Sequence, residues 1–358
     1  MDRSTKSERR DSARLLDSDD VLLIDCHSDV MIDVGRRRCE GERNVLERVH
    51  LPRLREGGVA AAVCTVGGDV ESLCPLGLER PFQSALHLLQ MLDRDVAEGA
   101  GKVGIARSSR ELRRLLKEGV FAVMPSLEGA SPVGDDLSRL EQLAGLGVRC
   151  IGLTWNSRNE LATGLGHEDE GLTSLGREAV REMNRLGIVV DLTHLGASSF
   201  RDVVHSTAAP VIASHCNARS VYDHPRNLDD DQLDAIRDVR GLVGVVFYPE
   251  FVAEPPVTVE EVLDQVEYLV NRMGVEFVGV GADFIDYAIE EVAAELYGEG
   301  ADYDPAEFAY PNGLGDCRSL GNFVEGLRGR GFSESEVRQV AGENFLRVMA
   351  EVDAAAGG

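Results

Sequence analysis

VLLIDCHSDV, residues 21–30, is the stretch on which the fold turns. It begins as a continuous apolar run, which is what a parallel strand buried on both faces requires. It ends in Asp25-Cys26-His27-Ser28-Asp29, not in the Gly-rich phosphate loop that follows the first strand of a doubly wound sheet. Seven further runs of the same kind follow: VAAAVCTV (59–66), VFAVMPS (120–126), VRCIGLT (148–154), IVVDLT (188–193), PVIAS (210–214), LVGVVF (242–247) and FVGVGA (277–282). Helix-like segments lie between them at 81–98, 108–119, 135–147, 173–187 (with Thr173 as N-cap), 198–206, 229–241, 258–274 and 319–331. Eight buried strands alternating with helices predict an α/β fold, a (β/α)8 TIM barrel, with the doubly wound sheet as the alternative. A last helix over 334–352 would close or cover the barrel. Residues 283–318, after the eighth run, form a long connection of the kind that serves as a lid. The expected organisation is a frayed extension over 1–20, a single catalytic barrel over 21–352 and a frayed end over 353–358.

The net charge of −25 makes nucleic acid and anionic membrane poor partners. No stretch of about eighteen apolar residues exists to span a membrane. The first twenty residues hold no apolar signal-peptide core, so a cytoplasmic protein is expected. Seven cysteines, an odd number with no CxxC pair, read as buried free thiols in a reducing compartment.

The active site of such a barrel forms at the C-terminal ends of its strands. Metal-ligand residue types stand there: His27 and Asp29 after the first run, Glu128 after the third, His194 after the fifth, His215 after the sixth and Asp283 after the eighth. Residues i and i+2 of an extended chain point to one side, so His27 and Asp29 can both face the barrel mouth. A set of His and carboxylate without thiolate suits zinc, or a harder ion such as manganese. Glu128 could bridge two ions about 3.5–4 Å apart, and their uncompensated charge would favour a bound hydroxide as nucleophile. A lone His-x-Asp is common by chance; the weight lies in three histidines and three carboxylates sharing one rim. The remaining histidines, His50, His87, His167, His205 and His224, make no comparable claim.

Several longer segments occur together in one order: IDCHSDV, HLPRLREGGVAAAV (50–63), SLEGA, GVRCIGLTWNSRN (147–159), GLTSLGREAVREMNRLGIVVDLTHLG (171–196), PVIASHCNARSVYDHPRNLDDDQL (210–233), VGVGADF (278–284) and ENFLRVM (343–349). In these the chain resembles the membrane (renal) dipeptidase family of zinc peptidases, a branch of the amidohydrolase-like barrels. The resemblance implies two Zn2+ ions, one on His27 and Asp29, one on His194 and His215, with Glu128 between them. It implies Arg226 as the grip on the dipeptide's carboxylate and Asp283 as the acid/base residue. It also implies a dipeptide substrate, tolerance of a D-configured C-terminal residue, and a homodimer.

Two departures bear on substrate. Trp155 stands where many members have a histidine; Trp155 would shape the pocket, Asn156 could donate a hydrogen bond, and His167 is the other candidate to reach in. Asp283-Phe284-Ile285-Asp286 replaces the family's Asp-Phe-Asp-Gly. The alternatives on the same site are a hydrolase of another amide, a lactam, a lactone or an N-acyl amino acid, and, further off, a non-catalytic binding protein.

Overall fold

In the computed structural model of the chain, residues 21–168, 170–290, 293 and 309–357 are described. The strands are β1 (Leu23–Ser28), β2 (Val59–Gly68), β3 (Val103–Ile105), β4 (Phe121–Glu128), β5 (Cys150–Gly152), β6 (Val189–Asp191), β7 (Ile212–Ala213), β8 (Leu242–Val245) and β9 (Val278–Val280). All pairings between them are parallel. The sheet runs β2-β1-β9-β8-β7-β6-β5-β4, and pairing of β2 with β4 closes it. This is the (β/α)8 barrel, and each of its eight strands falls on one of the eight apolar runs.

The ninth strand, β3, pairs only with the start of β4 (Val103↔Phe121), whereas β5 pairs with its end (Ser126↔Cys150). Three residues between Gly101-Lys102 and Ala106-Arg107 are too short a run to read as a strand. The helix Val30–Cys39 directly after Asp29 was likewise not anticipated.

Alternate strand residues serve two apolar layers. Ile24, Cys26, Ala61, Val63, Ala122, Met124, Cys150, Val189, Ile212 and Leu242 form one cluster with Phe345, Leu346 and Met349. The last three belong to the helix Asn344–Ala356, which stoppers one end of the barrel and leaves the opposite mouth for the site. That helix runs past residue 352, where the sequence reading ends it, and Asp353 Oδ2 accepts the Ser109 backbone N–H at 2.8 Å. The other strand face packs against the surrounding helices in a second, larger cluster.

Helix starts follow local chemistry. Thr173 accepts Gly176 N–H at 3.0 Å, and Asp229 and Thr258 each form a full capping box. All seven cysteines are free. Residues 1–20, and residues 291, 292 and 294–308 of the connection expected to act as a lid, lie outside the described residues.

Candidate active site

The strand ends converge. His27 lies in β1, Glu128 ends β4, and Asp29 is the N-cap of the helix Val30–Cys39. His194, His215 and Asp283 follow β6, β7 and β9. His27 Nε2 is 3.4 Å from Asp29 Oδ2, 3.7 Å from Glu128 Oε1 and 3.7 Å from Asp283 Oδ1. Glu128 Oε1 is also 3.0 Å from His194 Nε2 and 3.6 Å from His215 Nε2. His27 Nε2 is buried and makes no hydrogen bond of proper geometry. His194 and Asp283 have left-handed backbones, with φ of 69° and 56°. Such strain in non-glycine residues persists only where the surroundings hold it.

The hydrogen bonds behind these groups fix how the rings face. Asn156 Oδ1 lies 2.9 Å from His194 Nδ1, and Arg226 Nη2, which can only donate, lies 3.3 Å from His194 Nε2. His194 therefore carries its proton on Nδ1 and a lone pair on Nε2. His215 Nδ1 is 2.8 Å from Ser214 Oγ, which is 3.2 Å from Thr193 Oγ1, which donates to Asp191 Oδ1 at 2.9 Å. That chain polarises His215 the same way. The two Nε2 atoms then face each other at 3.1 Å, lone pair to lone pair, an arrangement that suits a cation between them.

Charge tells the same story. Burial, then Arg226 and His27, hold His194 well below the usual histidine range, and burial, His27 and Arg226 do so for His215. Neutral imidazole is the form that binds a metal. Burial and the neighbouring Asp29 push Glu128 well up, while burial raises Asp283 to about 6. Burial opposes protonation of His27, but Asp29, Glu128 and Asp283 outweigh it and hold it well above its ordinary value. Three carboxylates crowded in a buried site are what a divalent ion would relieve. Two groups among the described residues, His27–Glu128–His215 and His27–Asp29–Asp283, can each offer one ligand atom with all atoms within 4.8 Å. Ligand atoms about 2.1 Å from one tetrahedral ion stand about 3.4 Å apart. The observed separations of 3.0–3.7 Å bracket that value.

Above this floor is a cleft of about 240 Å³. Arg226 lines it with its guanidinium 5.1 Å from the Phe251 ring centre, and Trp155 lines it with its ring 5.7 Å from that of His194.

Residues 11–296 and 282–357 match the family model described as membrane dipeptidase, peptidase family M19. The chain belongs to the membrane dipeptidase family. Among its curated relatives, dipeptidase tcpJ of Claviceps purpurea is 29% identical over 350 residues, covering 94% of this chain and 76% of its own. An uncharacterized dipeptidase of Schizosaccharomyces pombe is 30% identical over 346 residues, covering 91% and 80%. Among solved structures, a metallopeptidase from Rhodobacter sphaeroides, liganded with a phosphinate mimic of the dipeptide L-Ala-D-Ala, superposes with a TM-score of 0.79 at 26% identity. That match covers 93% of this chain and all (100%) of the other. Another solved structure, a metallopeptidase described as a dipeptidase of family M19, matches with a TM-score of 0.79 at 27% identity, covering 93% and 98%. The protein is thus a metallodipeptidase, a peptide-bond hydrolase whose family implies divalent metal ions. No helix among its described residues is long and apolar enough to cross a membrane.

The fold brings together His27, Asp29, Glu128, His194, His215 and Asp283, with Arg226, Trp155 and Asn156 lining the same cleft. Asn156, read from sequence as a donor, turns its Oδ1 to the His194 ring. His167 is exposed and is not among the cleft residues. Sequence reasoning missed Thr65, which donates to Asp29 Oδ1 and to Ser28 O, and Tyr310, whose hydroxyl donates to the Asp283 carbonyl and accepts Ile285 N–H at 3.0 Å. It also missed His50, buried with Nε2 3.0 Å from Asp33 Oδ2 beneath the helix Val30–Cys39. None of these has a local signal, since each acts through a partner distant in sequence.

Proposed function

We propose that this metallodipeptidase carries two Zn2+ ions, with His27 and Asp29 holding one, His194 and His215 the other, and Glu128 shared. The observation that carries the reading is the convergence of three imidazole nitrogens on Glu128 Oε1, with one of them, His27 Nε2, lacking a hydrogen-bond partner. When bound, the ions would supply Lewis acidity to the scissile carbonyl and acidify a water. The chain's own residues do the rest. Arg226 clamps the substrate's terminal carboxylate through parallel hydrogen bonds, which limits length to two residues. Asp283, buried and raised to about 6, takes a proton from the attacking water and returns it to the leaving amine. The cleft is smaller than the roughly 300–1,000 Å³ of drug-sized sites, in keeping with a dipeptide. A D-configured C-terminal residue belongs to the proposal, supported by the L-Ala-D-Ala mimic bound to the Rhodobacter sphaeroides relative.

The test pairs elemental analysis with hydrolysis of matched L,L and L,D dipeptides, a lactam, a lactone and an N-acyl amino acid. Two zinc ions per chain and dipeptide turnover are expected. Metal-loaded protein that turns over none of the dipeptides would overturn the reading.

A further inference from the structure

The cleft has two unlike walls. In the closed barrel the strands run β1, β2, β4, β5, β6, β7, β8, β9 around the ring. Arg226 follows β7, and Tyr248, Glu250 and Phe251 follow β8. Ile32 follows β1, Val70 and Leu73 follow β2, and Trp155 follows β5. In a ring of eight, β2 stands directly opposite β7, so Val70 and Leu73 face Arg226 across the floor of histidines and carboxylates, while Ile32 and Trp155, three and two strands from β7, flank them on the same wall.

Ile32, Val70 and Leu73 are buried in one apolar cluster with Ala288, and Trp155 and Tyr287 pack against it. Apart from Asp29, Glu128 and Asp283 of the floor, the charged residues lining the cleft are Arg226 and Glu250, both on the far wall. Among the described residues the Trp155 wall therefore offers no counter-charge. A substrate whose carboxylate sits at Arg226 and whose scissile bond lies over the floor must run away from Arg226. Its N-terminal side chain then meets Trp155, Val70, Leu73 and Ile32.

We propose, resting on the dipeptidase reading with Arg226 as anchor, that the enzyme selects dipeptides with a large apolar N-terminal side chain, and that Trp155 is the specificity-determining residue. A leucine or phenylalanine side chain buries apolar surface on this wall, while an aspartate or lysine side chain would lose its hydration there and meet only the neutral Ser72 and Asn156, with no counter-charge. Trp155 also presents its ring beside His194, so the same residue bounds the pocket toward the reacting bond.

The experiment measures kcat/KM of the metal-loaded enzyme for Leu-Ala, Phe-Ala, Gly-Ala, Asp-Ala and Lys-Ala, each with L- and D-alanine. Leu-Ala and Phe-Ala are expected to exceed Gly-Ala by roughly 10–100-fold, with Asp-Ala and Lys-Ala slower still. Trp155→Ala is expected to shrink the Phe-Ala to Gly-Ala ratio by roughly tenfold, and Trp155→Phe to keep most of it. If dipeptides are hydrolysed but Gly-Ala, Asp-Ala or Lys-Ala matches Leu-Ala in the wild type, the specificity inference is overturned and the dipeptidase reading stands. If the wild type discriminates and Trp155→Ala keeps the full ratio, the assignment to Trp155 is overturned. If no dipeptide is hydrolysed, the underlying reading fails and takes the inference with it.

Discussion

Replacing Ser214 with alanine tests how the site prepares to hold an ion. Ser214 Oγ accepts the Nδ1 proton of His215 at 2.8 Å and passes its own hydrogen to Thr193 Oγ1, which donates to Asp191. This keeps His215 Nε2 unprotonated and aimed at Glu128 and His194. His215 is 2% exposed, so solvent cannot stand in for the missing hydroxyl. A buried donor left without an acceptor costs about 1–3 kcal/mol. The ring escapes that cost by moving its proton to Nε2, toward Glu128 Oε1 at 3.6 Å. The proton must move back before Nε2 can ligate, so the cost reappears in metal binding. At about 1.4 kcal/mol per decade, Ser214→Ala should bind the ion about 5–150-fold more weakly. The assay is competition between stripped protein and a chromophoric chelator, with a thermal melt of the metal-free variant to register any fold defect. Affinity within about threefold of wild type would refute the reasoning, because it would mean the ring orientation does not depend on the chain from Asp191.

Asp283→Asn should retain its metal by elemental analysis while kcat falls by about 10²–10⁴; a smaller fall would remove Asp283 from proton transfer. Tyr310→Phe deletes the hydroxyl that holds the left-handed backbone of Asp283. Strain of order 1–3 kcal/mol released there predicts a roughly tenfold loss in kcat with KM little changed, and equal losses in both would contradict a positioning role. Burial works to raise Asp33, but hydrogen bonds from His50 and Arg37 outweigh it and hold the carboxyl down at about 2. A depressed carboxylate stabilises the fold above its unfolded pKa and loses that contribution as pH falls through the folded value. The stability advantage of wild type over Asp33→Asn, about 2 kcal/mol near neutrality, should therefore fade between about pH 4 and pH 2 in denaturant melts. An advantage that does not change with pH would show that the His50 and Arg37 contacts are not what holds Asp33 down.

Periodicity and strand-end chemistry are local properties, and they carried the barrel and the roster of ligand-type residues. A strand buried on both faces must be continuously apolar, and β/α barrels place their chemistry where those runs stop. Hence VLLIDCHSD, SLEG, DLTH, ASH and GAD already named His27, Asp29, Glu128, His194, His215 and Asp283. Residue type was enough for that, because only a few side chains ligate a divalent ion.

Only closure of the barrel decided which group faces which. Asn156 turning to His194 and the chain from Asp191 through Thr193 and Ser214 to His215 join residues from different strand ends, and Tyr310 reaches back along the connection 283–318 to hold Asp283. The apolar wall of Ile32, Val70, Leu73 and Trp155 joins three segments that the sequence keeps far apart. A hydrogen bond or a pocket wall depends on positions in space to within about an ångström, and those positions are set by the ring of strands rather than by any local pattern.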